Sequence, residues 1–233
     1  MVKACLNGAR AATEHPSLPL SPDQLAAEAT AAVAAGAGAV HIHPRDGEGG
    51  ESLAGEHVGP AVQAIRAACP GIPVGVTTGA WIEPDAERRV ALIAGWAEEP
   101  PDFASVNFDE DGATDVAATL RRAGIGVEAG LQDPETVALL DGGPLVRALI
   151  EPEDEDGEAA WAAATQIASR LAADAVEVPL LAHGFGHATW TVVREAQRIG
   201  LDVRVGLEDT FTLPDGKRAD GNAALVAAAI GLG

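Results

Sequence analysis

Ala37-Gly38-Ala39-Val40-His41-Ile42-His43-Pro44-Arg45-Asp46 is an apolar run that ends in a cluster of polar side chains. Its core reads as a buried strand, and the period of two puts His41 and His43 on one face, about 7 Å apart along the chain. Two imidazoles at a strand's end suit a divalent metal such as zinc. The plainer alternative is a pair of partly buried histidines bonded to backbone. The same grammar recurs along the sequence. Segments 2–7, 39–44, 73–78, 103–108, 126–131, 146–151, 178–183 and 202–208 read as strands. Ala-rich amphipathic stretches at 22–35, 58–69, 85–96, 113–123, 134–140, 158–171, 188–199 and 222–232 read as helices. Start signals such as Ser21-Pro22-Asp23 and Asp133-Pro134-Glu135 open several of them, and Gly36, Gly124 and Gly200 close others.

Strict alternation of apolar strands and helices implies a parallel sheet covered by helices. Eight units in 233 residues fit an α/β fold of the (β/α)8 TIM barrel class with short loops, one domain spanning 1–233. A doubly wound open sheet is the competitor. Against it, the first strand runs into Asn7-Gly8-Ala9-Arg10 rather than a Gly-x-Gly-x-x-Gly turn. The acidic stretch 151–158 reads as a loop within the domain.

Apolar residues make up 47% of the chain, enough for a real core, and no uninterrupted apolar run is long enough to span a membrane. The N-terminus enters a strand directly, with no signal peptide pattern. The net charge is −20 with only Lys3 and Lys217 as lysines, a surface that repels nucleic acid and anionic lipid. An anionic ligand would need local positive charge from a metal, an arginine or a helix N-terminus. Cys5 and Cys69 lie far apart without metal spacing, and two free thiols fit a cytoplasmic location.

In such barrels the site forms at the C-terminal ends of the strands. Here those ends carry Asn7 and Arg10, then His41, His43, Arg45 and Asp46, then Thr77-Thr78, Ser105 and Asn107, Glu128, Glu151, His183, and Arg204 with Glu208-Asp209. A ring of polar ends is hard to explain as structure alone, because unpaired buried carboxylates and imidazoles cost several kcal/mol. On a strand over 202–208, Arg204, Gly206 and Glu208 share a face, so Glu208 completes a two-His, one-carboxylate site with open positions. Asp209 then points elsewhere, free to act as a base or a supporting residue. Glu128, among the small residues of Gly126-Val127-Glu128-Ala129-Gly130, faces a ligand, pairs with a barrel arginine such as Arg147 or Arg204, or does both. The glycines of His183-Gly184-Phe185-Gly186 could cradle an anion at a helix start.

These residues resemble the beta-keto acid cleavage enzymes. The resemblance rests on Leu6-Asn7-Gly8-Ala9-Arg10, His15-Pro16-Ser17-Leu18-Pro19, His41-Ile42-His43-Pro44-Arg45-Asp46, Thr77-Thr78-Gly79, Ser105-Val106-Asn107, Val127-Glu128-Ala129-Gly130, Gly206-Leu207-Glu208-Asp209 and Asn222. It implies a zinc-dependent (β/α)8 acyltransferase, with another divalent metal as an alternative. Such an enzyme converts a β-keto acid and acetyl-CoA to acetoacetate and a new acyl-CoA by Claisen and retro-Claisen steps. It further implies His41, His43 and Glu208 as metal ligands and Asp209 as the base, oriented by Arg204. Thr78, Ser105 and Asn107 would bind the substrate carboxylate, and Glu128 would read the far end. Arg10 stands where some members carry an acid, which bears on substrate choice. The resemblance also implies a homo-oligomer, a tetramer. The alternatives are a metal-dependent aldolase without coenzyme A, a metal-dependent hydrolase on the same barrel, and a non-catalytic metal sensor. The hydrolase is disfavoured because its HxH belongs on the first strand.

Overall fold

The computed structural model describes residues 1–233. Eight strands close into a parallel barrel in sequence order: β1 (Val2–Cys5), β2 (Ala39–Ile42), β3 (Val74–Val76), β4 (Phe103–Asn107), β5 (Gly126–Leu131), β6 (Arg147–Ile150), β7 (Leu180–Ala182) and β8 (Asp202–Val205). β1 closes the ring against β8, with Ala4 opposite Val205. Seven helices cover it: α1 (Pro22–Ala34), α2 (Gly55–Ala68), α3 (Ala86–Ala94), α4 (Ala113–Arg122), α5 (Gly157–Ala173), α6 (Thr189–Arg198) and α7 (Asn222–Ile230). None is long and apolar enough to cross a membrane.

The helix starts follow the local chemistry. Ser21 and Gln24 form a reciprocal capping box ahead of Pro22, while Asp85 caps α3 and Asp156 caps α5. The helix expected over 134–140 is only a 3-10 turn, Thr136–Leu139. Asp133 caps that turn through Thr136, but Asp141-Gly142-Gly143-Pro144 cuts it off before an α-helix can propagate.

The period of two divides each strand between two environments. Ala4, Val40, Ile42, Val76, Val106, Val127, Ile150 and Val205 join the apolar layer beneath the helices. Their neighbours Lys3, His41, Phe103, Glu128, Arg147 and Arg204 lie outside that layer, in the barrel interior. Low in that interior, Lys3 pairs with Glu128, and Arg147 Nε lies 3.0 Å from the second Glu128 oxygen. Lys3 and Arg147 also lie over the Phe103 ring, at 5.9 and 5.1 Å from its centroid. Gly75 makes room for that ring, which a Cβ would strike. This packed layer is the floor on which the polar strand ends stand.

Candidate active site

His41 lies one residue before the end of β2 and His43 follows the strand. Both are buried, with ring centroids 5.2 Å apart and planes at 80°. Asn7, from the end of β1, brackets the His43 backbone. Glu208 brings its carboxylate to the pair, Oε1 lying 3.5 Å from His43 Nε2. One ligand atom from each of the three residues falls within 4.8 Å of the others.

Glu208 does not arrive as sequence periodicity suggests. β8 ends at Val205, and Gly206–Asp209 form a turn closed by Asp209 N–H and Thr210 N–H donating to Gly206 O. Gly206 lies so close to the Cys5 backbone that any Cβ would collide. The chain must therefore bend there, and Glu208 N–H donates to Cys5 O. Gly8, at φ +54°, leaves the space that the Glu208 side chain fills. Asn222 ties the two ends together, donating to Leu6 O and accepting from Leu207 N–H. Arg45 donates to Gly8 O and Arg10 O, so this arginine of the histidine motif shapes the loop after β1.

The electrostatics of the cluster favour a cation. Burial works against a charged His43, but the Glu208 and Glu51 carboxylates outweigh it and lift the ring to about 8. Burial holds His41 well below the usual imidazole range. For Glu208, burial opposes ionisation, yet Arg204 and the histidines hold it well below the usual carboxylate range. His41 Nδ1 and Glu208 Oε2 are buried without a hydrogen-bond partner. Buried polar atoms normally find partners, and a divalent ion between two imidazoles and a carboxylate would supply one. The residues fit that group.

Behind Glu208 sits a buried pair. Arg204 donates to Glu208 Oε1 at 2.5 Å and to Asp209 Oδ1 at 2.7 Å. Asp209 was expected to point away from the Glu208 face. The turn instead brings both carboxylates onto one guanidinium. Burial pushes Asp209 up to about 6 against the pull of Arg204.

A cavity of about 400 Å³ opens above these groups. Arg10, Ser105, Asn107 and Arg204 line it with the His41–His43–Glu208 cluster. A larger groove of about 740 Å³ between α2 and α3 has no imidazole, thiol or basic side chain. The smaller cavity is therefore the candidate site. Three expected residues lie off its wall. β3 ends one residue before Thr77, so Thr77 faces the cavity while Thr78 turns to β4 and donates to Ser105 O at 2.7 Å. Glu128 is fully buried in the floor, paired with Lys3 and Arg147 rather than facing a ligand. Asp209 is fully buried behind Arg204.

The opposite wall has residues to which the sequence assigned no role. Glu151 follows β6, and its Oε2 lies 3.2 Å from His183 Nε2 after β7. Gln132 donates to its other oxygen at 3.3 Å. Gly130 makes this possible, since a Cβ there would strike both Glu151 and Asn107. Burial lifts Glu151 to about 8 and lowers His183 well below its usual range. Both residues stood out as polar strand ends; only the space left by Gly130 shows that they meet.

The chain is similar to several known proteins. The family model for beta-keto acid cleavage enzyme matches residues 1–141 and 152–233. The stretch between, 142–151, holds β6 and Glu151. A curated 3-keto-5-aminohexanoate cleavage enzyme of Fusobacterium nucleatum is 25% identical over 241 residues, covering 97% of this chain and 88% of the relative. One of Acetoanaerobium sticklandii is 31% identical over 94 residues, 40% of this chain and 34% of the relative. Among solved structures, the binary complex of ObcA with oxaloacetate superposes with a TM-score of 0.71 at 19% identity, over 91% of this chain. This chain spans 62% of the length of that ObcA chain. A native KDPGal structure superposes with a TM-score of 0.61 at 16% identity, over 99% of this chain and 93% of its own. These likenesses show the barrel fold. The family match, running through both the histidine motif and the Glu208-Asp209 turn, makes this chain a member of the beta-keto acid cleavage enzyme family.

Proposed function

We propose that the protein is a zinc-dependent acyltransferase that converts a β-keto acid and acetyl-CoA to acetoacetate and a new acyl-CoA. The observation that carries this reading is the convergence of His41, His43 and Glu208 to within 4.8 Å, with a buried atom of His41 and one of Glu208 left unpartnered, beside the buried Arg204–Asp209 pair. His41, His43 and Glu208 would hold the ion, which supplies Lewis-acid polarisation worth several kcal/mol when bound. Ser105 and Asn107, with Thr77 in place of Thr78, would hydrogen-bond the substrate carboxylate from β3 and β4. Thr78 would act beneath them by holding the Ser105 backbone.

Asp209 is the proposed base for the proton on the carbon between the keto and carboxyl groups. In this structure Arg204 separates it from the cavity, and an anionic substrate competing for the guanidinium would free the carboxylate. Such contacts often tighten only in the complex. The resulting carbanion adds to the thioester carbonyl and expels the thiolate. The thiolate then attacks the original keto carbon and the C–C bond breaks. Asp209 returns its proton to the departing acetoacetate carbanion. Arg10, paired with Glu14 at 3.3 Å, lines the wall where the substrate's far end would lie. The test is a panel of β-keto acids with acetyl-CoA, analysed by mass spectrometry. We expect metal-dependent formation of acetoacetate with the matching acyl-CoA. A zinc-loaded protein that makes no acetoacetate from any member of a broad panel would overturn the reading.

A further inference from the structure

His43 is oriented by a carboxylate that is not a strand end. Asn7 fixes its backbone from both sides, accepting from His43 N–H at 2.9 Å and donating to His43 O at 2.8 Å. Only the side-chain torsions remain free. Nδ1 lies 2.5 Å from Glu51 Oε1, while Nε2 faces Glu208. With the Nδ1 proton donated to Glu51, the Nε2 lone pair is left free on the side of Glu208 and His41.

Glu51 is itself held. Its Oε2 accepts from Trp81 Nε1 at 3.0 Å. The Trp81 ring stacks on His43, centroids 6.1 Å apart and planes at 22°. The loop carrying Glu51 folds back on itself through an antiparallel bridge between Arg45 and Glu51. The Asp46 carboxylate stiffens it by accepting from Glu48 N–H and Gly50 N–H, each at 2.9 Å. Gly79 makes room for the Trp81 ring, which a Cβ would strike. His41 has no equivalent support, since its Nδ1 has no partner.

We propose that Glu51 is a positioning residue for the metal site. It sets the tautomer and ring plane of His43, and Trp81 locks Glu51 in turn. The His43 arm is thus preformed before the ion arrives, whereas the His41 arm is fixed by the ion. This rests on reading His41, His43 and Glu208 as metal ligands.

The test is zinc affinity, measured by competition with a chromophoric chelator in the absence of substrate. Glu51→Ala should weaken zinc binding about 10- to 100-fold. Glu51→Gln, which keeps an acceptor for Nδ1, should fall between that variant and wild type. Trp81→Phe should cost about fivefold, less than loss of Glu51, because the half-exposed indole acts only by holding that carboxylate. Nitrogen NMR of the metal-free wild type at about pH 9.5, above the His43 value of about 8, should show the neutral ring as the Nδ1–H tautomer. The proposal is overturned if Glu51→Ala binds zinc within about twofold of wild type, if His43 is the Nε2–H tautomer, or if wild type binds no zinc. The tautomer keeps it falsifiable even if Glu51→Ala does not fold. Tight zinc with the expected affinity order but no turnover of any β-keto acid would support this inference while breaking the functional reading.

Discussion

The two sides of the barrel mouth carry the same kinds of side chain and treat them differently. On the β2–β8 side, His41, His43 and Glu208 converge but leave His41 Nδ1 and Glu208 Oε2 unpartnered. On the β6–β7 side, Glu151 and His183 bond to each other and Gln132 serves the remaining carboxylate oxygen, while His183 Nδ1, 3.5 Å from Asp209 Oδ1, and Gln132 Oε1 make no hydrogen bond. Burial of polar groups is costly on either side. On the β6–β7 side both oxygens of the carboxylate have a partner. On the β2–β8 side a carboxylate oxygen and an imidazole nitrogen are left over in one cluster, as the ligands of a cation would be. Arg204 joins the two sides, bonded to Glu208 and Asp209 and 3.7 Å from Glu151.

That contrast breaks most readily at the metal. His41→Ala or Glu208→Ala should strip zinc and lower kcat/KM about 10³-fold or more, the loss of several kcal/mol of polarisation. His183→Ala should keep its zinc. Metal per chain, measured by plasma mass spectrometry, decides it: loss of zinc in His183→Ala with retention in His41→Ala would put the ligands on the wrong side. One step smaller is Asp209→Asn, which should keep zinc and lower kcat about 10²- to 10³-fold. Near-normal turnover in that variant would remove Asp209 as the base.

A finer contrast separates two neighbours. Thr77→Val should lower kcat/KM about tenfold through one lost substrate hydrogen bond. Thr78→Val should leave kcat/KM nearly unchanged and cost about 1 kcal/mol of stability, because its hydroxyl serves Ser105 O. Urea titrations beside the kinetics would show whether the two effects separate; a reversed pattern would restore Thr78 to the substrate.

The sequence made the β2–β8 side more legible than its counterpart for a physical reason. His41 and His43 share a face by strand geometry alone, and Glu208-Asp209 follows an apolar run that had to be a strand. The eight strands were legible for the same reason. What strand periodicity could not supply was where a strand stops. β3 ends one residue before Thr77 and β8 ends at Val205, so Thr78 turns to β4, and Glu208 reaches the histidines through a turn rather than along a strand. Glu128 lay low on its strand, and only the closed barrel brings Lys3 beside it. The Glu151–His183 contact depends on the missing side chain at Gly130, and Glu51 on a loop that folds back by its own turn chemistry. These are consequences of packing between distant segments, which a period along one segment does not encode.

The smallest expected effect tests the β6–β7 side. Folded protein keeps the Glu151 proton up to about 8, because burial disfavours the carboxylate, whereas the ordinary value is 4.5. Between those values the folded state binds more protons than the unfolded chain. Stability therefore falls as pH rises through that window, by at most about 1.4 kcal/mol per pH unit for this group. Glu151→Gln cannot release a proton and keeps hydrogen-bonding atoms in the same place. Metal-free wild type should lose stability between pH 5.5 and 8.5, and the variant should lose about 1–2 kcal/mol less. Guanidinium unfolding at the two pH values measures the difference. Parallel pH dependence in the two proteins would mean that Glu151 is already ionised beside Arg204 at pH 5.5. The β6–β7 wall would then present a charge to the substrate rather than a closed neutral pair, and the contrast between the two sides would fail where it is drawn.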